Sequence, residues 1–247
     1  MKKALVICLL SSALIAAAPA LAKGNSATGN SSARAEKPAA KVDIKALQAK
    51  AEKGDMKAAA ALGEDYYSGE GVDKDYDAAV KWMKMAADKN NPNALNDLGM
   101  AYAQGNGVSH DDKQAFELIT KSAKLNFPEA EYNLGMMYQQ GIGTDQNYAE
   151  AAKWFQKAAD KGNSSAQNEL GYAYEKGQGI DQDWTQAAKW YRKSAEKGND
   201  VAQSNLGYLY HVGLGVKKDD KEAESWFRKS AAQGNEKAQY NLDHLQD

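Results

Sequence analysis

The sequence predicts an all-α solenoid built from helix pairs, and three observations predict it. Tyr66, Tyr102, Tyr138, Tyr174 and Tyr210 recur at a constant interval of 36 residues, each four places after a leucine and three after a glycine. Apolar residues around each tyrosine fall at helical spacing, and glycine or asparagine punctuates the ends of the segments. A fixed period of roughly 20–50 residues marks a unit that buries its apolar face only by stacking on copies of itself.

The chain before the array reads as an address. Lys2 and Lys3 form a basic start, Ala4 to Ala18 an apolar run and Ala20-Leu21-Ala22 a small-x-small cleavage site, so residues 1–22 are expected to be a secretory signal peptide. The run is shorter than the ~20 apolar residues of a transmembrane helix. Cys8, the only cysteine, sits inside the run and follows no lipobox, which argues against a lipid anchor and leaves the exported chain without disulfides. Residues 23–41 are rich in Gly, Asn, Ser and Ala with no apolar period and read as a flexible linker. The expected location is the periplasm, or beyond it if the protein is secreted.

Removal of Lys2 and Lys3 leaves 29 basic residues against 33 acidic ones, a net charge of −4. That balance gives no electrostatic case for nucleic acid or an anionic membrane surface. Along the chain the charges are interspersed, as on the solvated faces of helices.

Within each repeat, a helix A is marked by Ala58/Leu62/Tyr66 and its equivalents, at i, i+4 and i+8 on one face. Gly63, Gly99, Gly135, Gly171 and Gly207 interrupt these helices, where glycine costs ~1 kcal/mol against alanine. Close approach of the next helix is the expected compensation. A helix B follows, marked by Ala79/Trp82/Ala87, Ala151/Trp154/Ala159, Ala187/Trp190/Ala195 and Ala223/Trp226/Ala231, with Leu118 replacing the tryptophan in the second repeat. The tryptophans are expected to be core.

Asp75, Asp111, Asn147, Asp183 and Asp219 stand where helix B begins, and in four of the five Glu or Gln follows three residues later, the pattern of a capping box. Gly54, Asn90, Asn126, Gly162, Gly198 and Gly234 are expected to end the B helices in left-handed turns. Asn91-Pro92, Asn163, Asn199 and Asn235 then begin the next helix A. The Gly-x-Gly pairs between A and B resemble phosphate loops only in composition; no Lys-Ser/Thr follows them. Val42 to Lys53 aligns with a lone helix B and Glu236 to Gln246 with a lone helix A. The expected domain, residues 42–247, is therefore an N-terminal cap helix, five pairs and a closing helix.

The pattern Ala-x-x-x-Leu-Gly-x-x-Tyr-x-x-Gly-x-Gly, followed by Asp-x-x-x-Ala-x-x-Trp-Phe/Tyr-x-x-Ala/Ser-Ala-x-x-Gly, resembles the Sel1-like repeat family, relatives of the tetratricopeptide repeats. The resemblance covers about residues 43–246. It implies a right-handed α/α superhelix of antiparallel helix pairs, with helix A on the concave side, and an adaptor role that gathers other proteins. Leu118, Asn90, Asn126 and Phe127 are its main departures.

Chemistry is sparse. Three separated histidines, His110, His211 and His244, have no metal-ligand spacing, and Asp73/Asp75/Asp77 lack the glycine and terminal carboxylate of a calcium loop. No cofactor or catalytic constellation is expected. Ser194-Ala-Glu-Lys197 has the Ser-x-x-Lys spacing of β-lactam chemistry, and some cysteine-rich secreted relatives have been linked to it, but no Ser-Asp-Asn or Lys-Thr-Gly partner occurs. A β-lactam- or cell-wall-directed hydrolase is the alternative to a non-enzymatic scaffold.

Away from the Ala/Leu/Tyr stripe, helix A carries a second, more variable stripe. Met100, Tyr132, Met136, Tyr172, Tyr208, His211 and Tyr240 belong to it and are the candidate contacts for a peptide or protein partner. The competing reading packs them between successive A helices. The expected protein is a monomer with an unidentified protein partner.

Overall fold

The computed structural model describes residues 43–245, so the expected signal peptide and linker lie outside the described residues. Twelve helices follow one another among them. The A helices are α2 (Met56–Ser68), α4 (Pro92–Gln104), α6 (Pro128–Gln140), α8 (Ser164–Lys176), α10 (Asp200–Val212) and the closing α12 (Glu236–Asp243). The B helices are the cap α1 (Ile44–Glu52), then α3 (Tyr76–Ala87), α5 (Asp112–Lys124), α7 (Tyr148–Asp160), α9 (Trp184–Glu196) and α11 (Asp220–Ala231). Each A helix packs on the B helices before and after it, the closing α12 on α11 alone, giving the right-handed α/α solenoid expected.

Local chemistry places every boundary. Asp or Asn at the N-cap accepts from the first-turn amides in all helices except α6, where Phe127 provides no side-chain bond. At helix B the capping box is only half formed. Each N-cap side chain takes an N3 amide, as Asp111 does from Gln114 at 3.0 Å, but its own N–H donates to the carbonyl of the repeat's tyrosine. Asp75 thus bonds Tyr66, Asp111 Tyr102, Asn147 Tyr138, Asp183 Tyr174 and Asp219 Tyr210, at 2.8–3.1 Å. The tyrosine position ties the end of A to the start of B through its backbone.

The mid-helix glycines are notches. A Cβ on Gly171 would lie 2.7 Å from Tyr191 Cδ1, and one on Gly135 would lie 2.5 Å from Phe155 Cε1. The residue filling each notch, Met83, Ile119, Phe155, Tyr191 or Phe227, follows the tryptophan position by one. The tryptophans flank this contact: Trp82, Trp190 and Trp226 are buried and Trp154 is half-buried. Lys157, Lys193 and Lys229 cover the rings of Trp154, Trp190 and Trp226 at 3.7–4.0 Å. Asn90 and Asn126 adopt φ of 60° and 64°, the left-handed stops expected of them. The closing helix ends at Asp243, short of Gln246.

Successive A helices meet one another, at α2–α4, α4–α6 and α10–α12, while no pair of B helices is comparably close among the described residues. A stack that is tighter on one side curves toward that side, so the A helices line its inner face.

Candidate functional site

The inner face is built on a ladder between A helices. Asn133 Nδ2 of α6 donates to Asn96 Oδ1 of α4 at 2.9 Å, and Asn96 Nδ2 donates to Asp97 at 3.2 Å. Two repeats on, Asn205 Nδ2 donates to Asn168 Oδ1 at 3.3 Å and Asn168 Nδ2 to Glu169 Oε1 at 3.2 Å. The same two helical positions, one on each neighbour, thus pass amide hydrogen bonds toward a carboxylate. The asparagines of the variable stripe hold A helices together.

The candidate contacts divide accordingly. Met100 and Tyr132 are 6% and 7% exposed, so these two correct the expectation of an outward stripe. Tyr132 packs against Phe155 with ring centroids 6.0 Å apart, and burial pushes its hydroxyl well above the usual tyrosine range, the charge of Glu169 adding to the shift. Met136, Tyr172 and Tyr208 are half-buried, each packed at one side against the core. His211 is held by Asp220, Nδ1 to Oδ1 at 2.8 Å, clasping α10 to α11, and that hydrogen bond lowers the Asp220 carboxyl. Tyr240 is 46% exposed and stacked on His244 at 4.2 Å.

The structure brings Tyr172 and Tyr208 to Lys176, and Tyr208 to Glu175, while a second acid, Glu169, lies one turn before Tyr172 on α8. Tyr191 donates its hydroxyl to Glu175 Oε2 at 2.8 Å. Both are buried, and burial first, then the Glu175 charge, raises Tyr191 well above its ordinary value. Lys176 Nζ stands 2.7 Å from Glu175 Oε1, off the direction of a regular hydrogen bond, so the pair is one of charge. The same ammonium lies 5.6 Å from the ring centre of Tyr172. Tyr208 lies within reach of both, raised by burial and by Glu175 and lowered by Lys176. Glu169 keeps part of its surface open but is closely surrounded by α6 and α8. Burial raises its carboxyl, and hydrogen bonds from Asn168 and Gln139 offset part of that rise.

The signal that finds these acids is charge sorted by helix. Carboxylates divide almost evenly between the layers, but the B helices α3, α5, α7, α9 and α11 carry thirteen lysines and arginines and the five paired A helices only Lys57 and Lys176. Charges interspersed along the chain are segregated in space.

Ser194 is fully buried, and its hydroxyl donates to the Ser164 carbonyl at 2.7 Å. Ser122 and Ser230 make the same bond to Pro92 and Asp200. Lys197 Nζ donates to the Gly162 carbonyl at 2.6 Å, so the Ser-x-x-Lys spacing serves the repeat's own hydrogen bonding. Among the described residues no cluster of three His, Cys, Asp or Glu is placed to hold a metal, and no helix is long and apolar enough to cross a membrane.

Five stacked helix pairs with an A-lined inner face define an α-solenoid repeat protein. The chain belongs to the Sel1 repeat family, whose repeat matches residues 57–91, 92–127, 128–163, 164–199 and 200–235. Among solved structures it is similar to c5321, described as a protective antigen of uropathogenic Escherichia coli with an SLR fold, at 40% identity and a TM-score of 0.77. That match covers 83% of this chain and 44% of the E. coli chain, so the present chain spans under half of that relative. A Sel1 repeat protein from Oxalobacter formigenes is 32% identical with a TM-score of 0.72, covering 79% of this chain and 86% of that one. A Klebsiella pneumoniae protein described as a putative Sel1 repeat protein, 23% identical over 83% of this chain and 99% of its own, shares the fold at a TM-score of 0.53. No curated protein matches the chain. Sel1 repeat proteins serve in general as protein-interaction scaffolds.

Proposed function

We propose that this protein is a non-enzymatic scaffold of the bacterial periplasm or envelope, acting as a monomer that holds a peptide or protein partner in the groove lined by its A helices. The observation that carries this reading is the half-exposed row of Met136, Tyr172 and Tyr208 on the inner face of the stack. Flexible methionine and flat tyrosine provide contact area at low entropic cost. The basic start, apolar run and small-x-small motif read in residues 1–22 support export.

The test is affinity capture from an envelope fraction by the exported chain, beside a Met136→Ala/Tyr172→Ala/Tyr208→Ala variant of unchanged helicity. A protein held by the wild type and lost by the variant supports the groove. Equal capture by both moves the partner to the outer helices or loops. Fractionation of cells expressing the full chain tests location, and a product retained uncleaved in the cytoplasm overturns it.

A further inference from the structure

We infer that the partner segment accepted by the inner face is cationic, presenting a lysine or arginine to Glu169 beside the ring of Tyr172, one turn on along α8. The inference rests on the groove reading and adds the chemistry of its occupant.

The first ground is the field of the A layer. α4, α6 and α10 contain acidic residues and no lysine or arginine, though Glu131 of α6 is buried and paired with Lys161, and α8 between them carries the half-exposed Glu169. Most of the cations stand on the B helices, on the far side of the stack. A concave surface with carboxylates and low-dielectric walls concentrates positive groups.

The second ground is how the two acids are satisfied. Glu169 forms no ion pair among the described residues, and its hydrogen bonds come from the neutral amides of Asn168 and Gln139. Glu175 is 3% exposed and meets one hydroxyl, from Tyr191, and one ammonium, from Lys176. Glu175 is thus matched by Lys176, while Glu169 has no cation paired with it among the described residues. A partner cation supplies that pairing.

The third ground is Lys176 itself. Its ammonium lies against Glu175 while facing the ring of Tyr172, the combined ion-pair and cation–π geometry that an incoming side chain would use. The equivalent positions in the other repeats are Ser68, Gln104, Gln140 and Val212, so this resident cation belongs to the α8 site alone. An arginine from a partner would add bidentate bonds to the Glu169 carboxylate and stack on a tyrosine face.

The probes are fluorescein-labelled peptides of equal length that alternate alanine with arginine, glutamine or glutamate, added to the exported chain and followed by anisotropy at physiological salt. The arginine peptide is expected to bind best, with Glu169→Gln weakening it by about tenfold or more. Glu224→Gln, on the outer helix α11, leaves it unchanged. Glu169→Lys shifts the preference toward the glutamate peptide, which no general loss of fold would do. Equal binding of the arginine and glutamine peptides, or equal loss in Glu169→Gln and Glu224→Gln, overturns the cationic occupant. If the glutamine peptide binds and the Met136/Tyr172/Tyr208 variant loses it, the groove stands and its cation preference falls. If that variant binds every peptide as the wild type does, the groove falls as well. Self-association abolished by Glu169→Gln makes the occupant a second copy and overturns a separate partner.

Discussion

Ser194 Oγ donates to the carbonyl of Ser164 across a pair, at 2.7 Å, and so pins the last turn of a B helix to the first turn of the A helix before it. The carbonyl belongs to the N-terminal end of α8, and the hydroxyl has no exposure to solvent. Ser194→Ala leaves that carbonyl without its partner and is expected to destabilise the protein by about 1–2 kcal/mol. Thermal unfolding reads this as a fall of a few degrees, about 2–4 °C per kcal/mol for a chain of this size. Turnover of a chromogenic β-lactam is expected at background for both proteins. Turnover by the wild type that disappears in the variant would return Ser194 to catalysis.

Gly135→Ala sets two effects against each other. Alanine is the better helix former by ~1 kcal/mol, but its Cβ would stand 2.5 Å from Phe155 Cε1. Overpacking of a rigid core costs roughly 1–3 kcal/mol, so net destabilisation is expected. Phe155→Leu opens the notch, and the double variant is expected to lose less stability than the two single losses combined. Strict additivity in denaturant titrations would mean that the notch does not accommodate the ring.

Asn126, at φ 64°, replaces the glycine that ends most B helices. Asn126→Ala is expected to cost about 1 kcal/mol, because alanine keeps the Cβ that crowds the following carbonyl in the left-handed region but loses the short amide whose local hydrogen bonding offsets it. Asn126→Gly stays within about 0.5 kcal/mol of the wild type, the lost strain balanced by backbone entropy. A stable Asn126→Ala variant would contradict the turn geometry.

Glu169 gives a pH dependence of definite sign. Its folded carboxyl is raised above the ordinary glutamate value by burial, so on acidification the folded chain takes the proton before the unfolded chain does. Its contribution to stability therefore grows as pH falls from the raised value toward the ordinary one, and is lost as pH rises back through that window. Glu169→Gln removes the titration. At neutral pH the variant is expected to unfold no earlier than the wild type, and the wild type gains on it as pH drops into the carboxylate range. A stability difference independent of pH would remove burial as the cause.

Much of the fold was legible because it depends on relations within a single repeat. The Ala/Leu/Tyr stripe, the Asp and Asn N-caps and the asparagine stops at 90 and 126 each act over a few residues, so spacing alone reveals them. The capping boxes were legible only in part. An N-cap hydrogen searching for an acceptor finds the tyrosine carbonyl nine residues earlier, a bond available only once A and B are folded against each other. The notch fillers beside the tryptophans were missed for a similar reason, since composition marks the larger ring and geometry selects its neighbour.

The sequence by itself determined the number of helices, their ends, their pairing and the glycine notches that let them close, all consequences of helical period and short-range hydrogen bonding. Tertiary structure alone decided which members of the variable stripe reach solvent. A helical wheel gives each residue an angle about its own axis, but not the positions of the neighbouring A helices. Those neighbours bury Met100, Tyr132 and the asparagine ladder, and leave Met136, Tyr172 and Tyr208 half open. The same stacking gathers Glu175 and Lys176 beside Tyr208 and places most of the cations on the opposite layer. Charge that alternates along a chain becomes a directed field only when every other helix is turned to the same side.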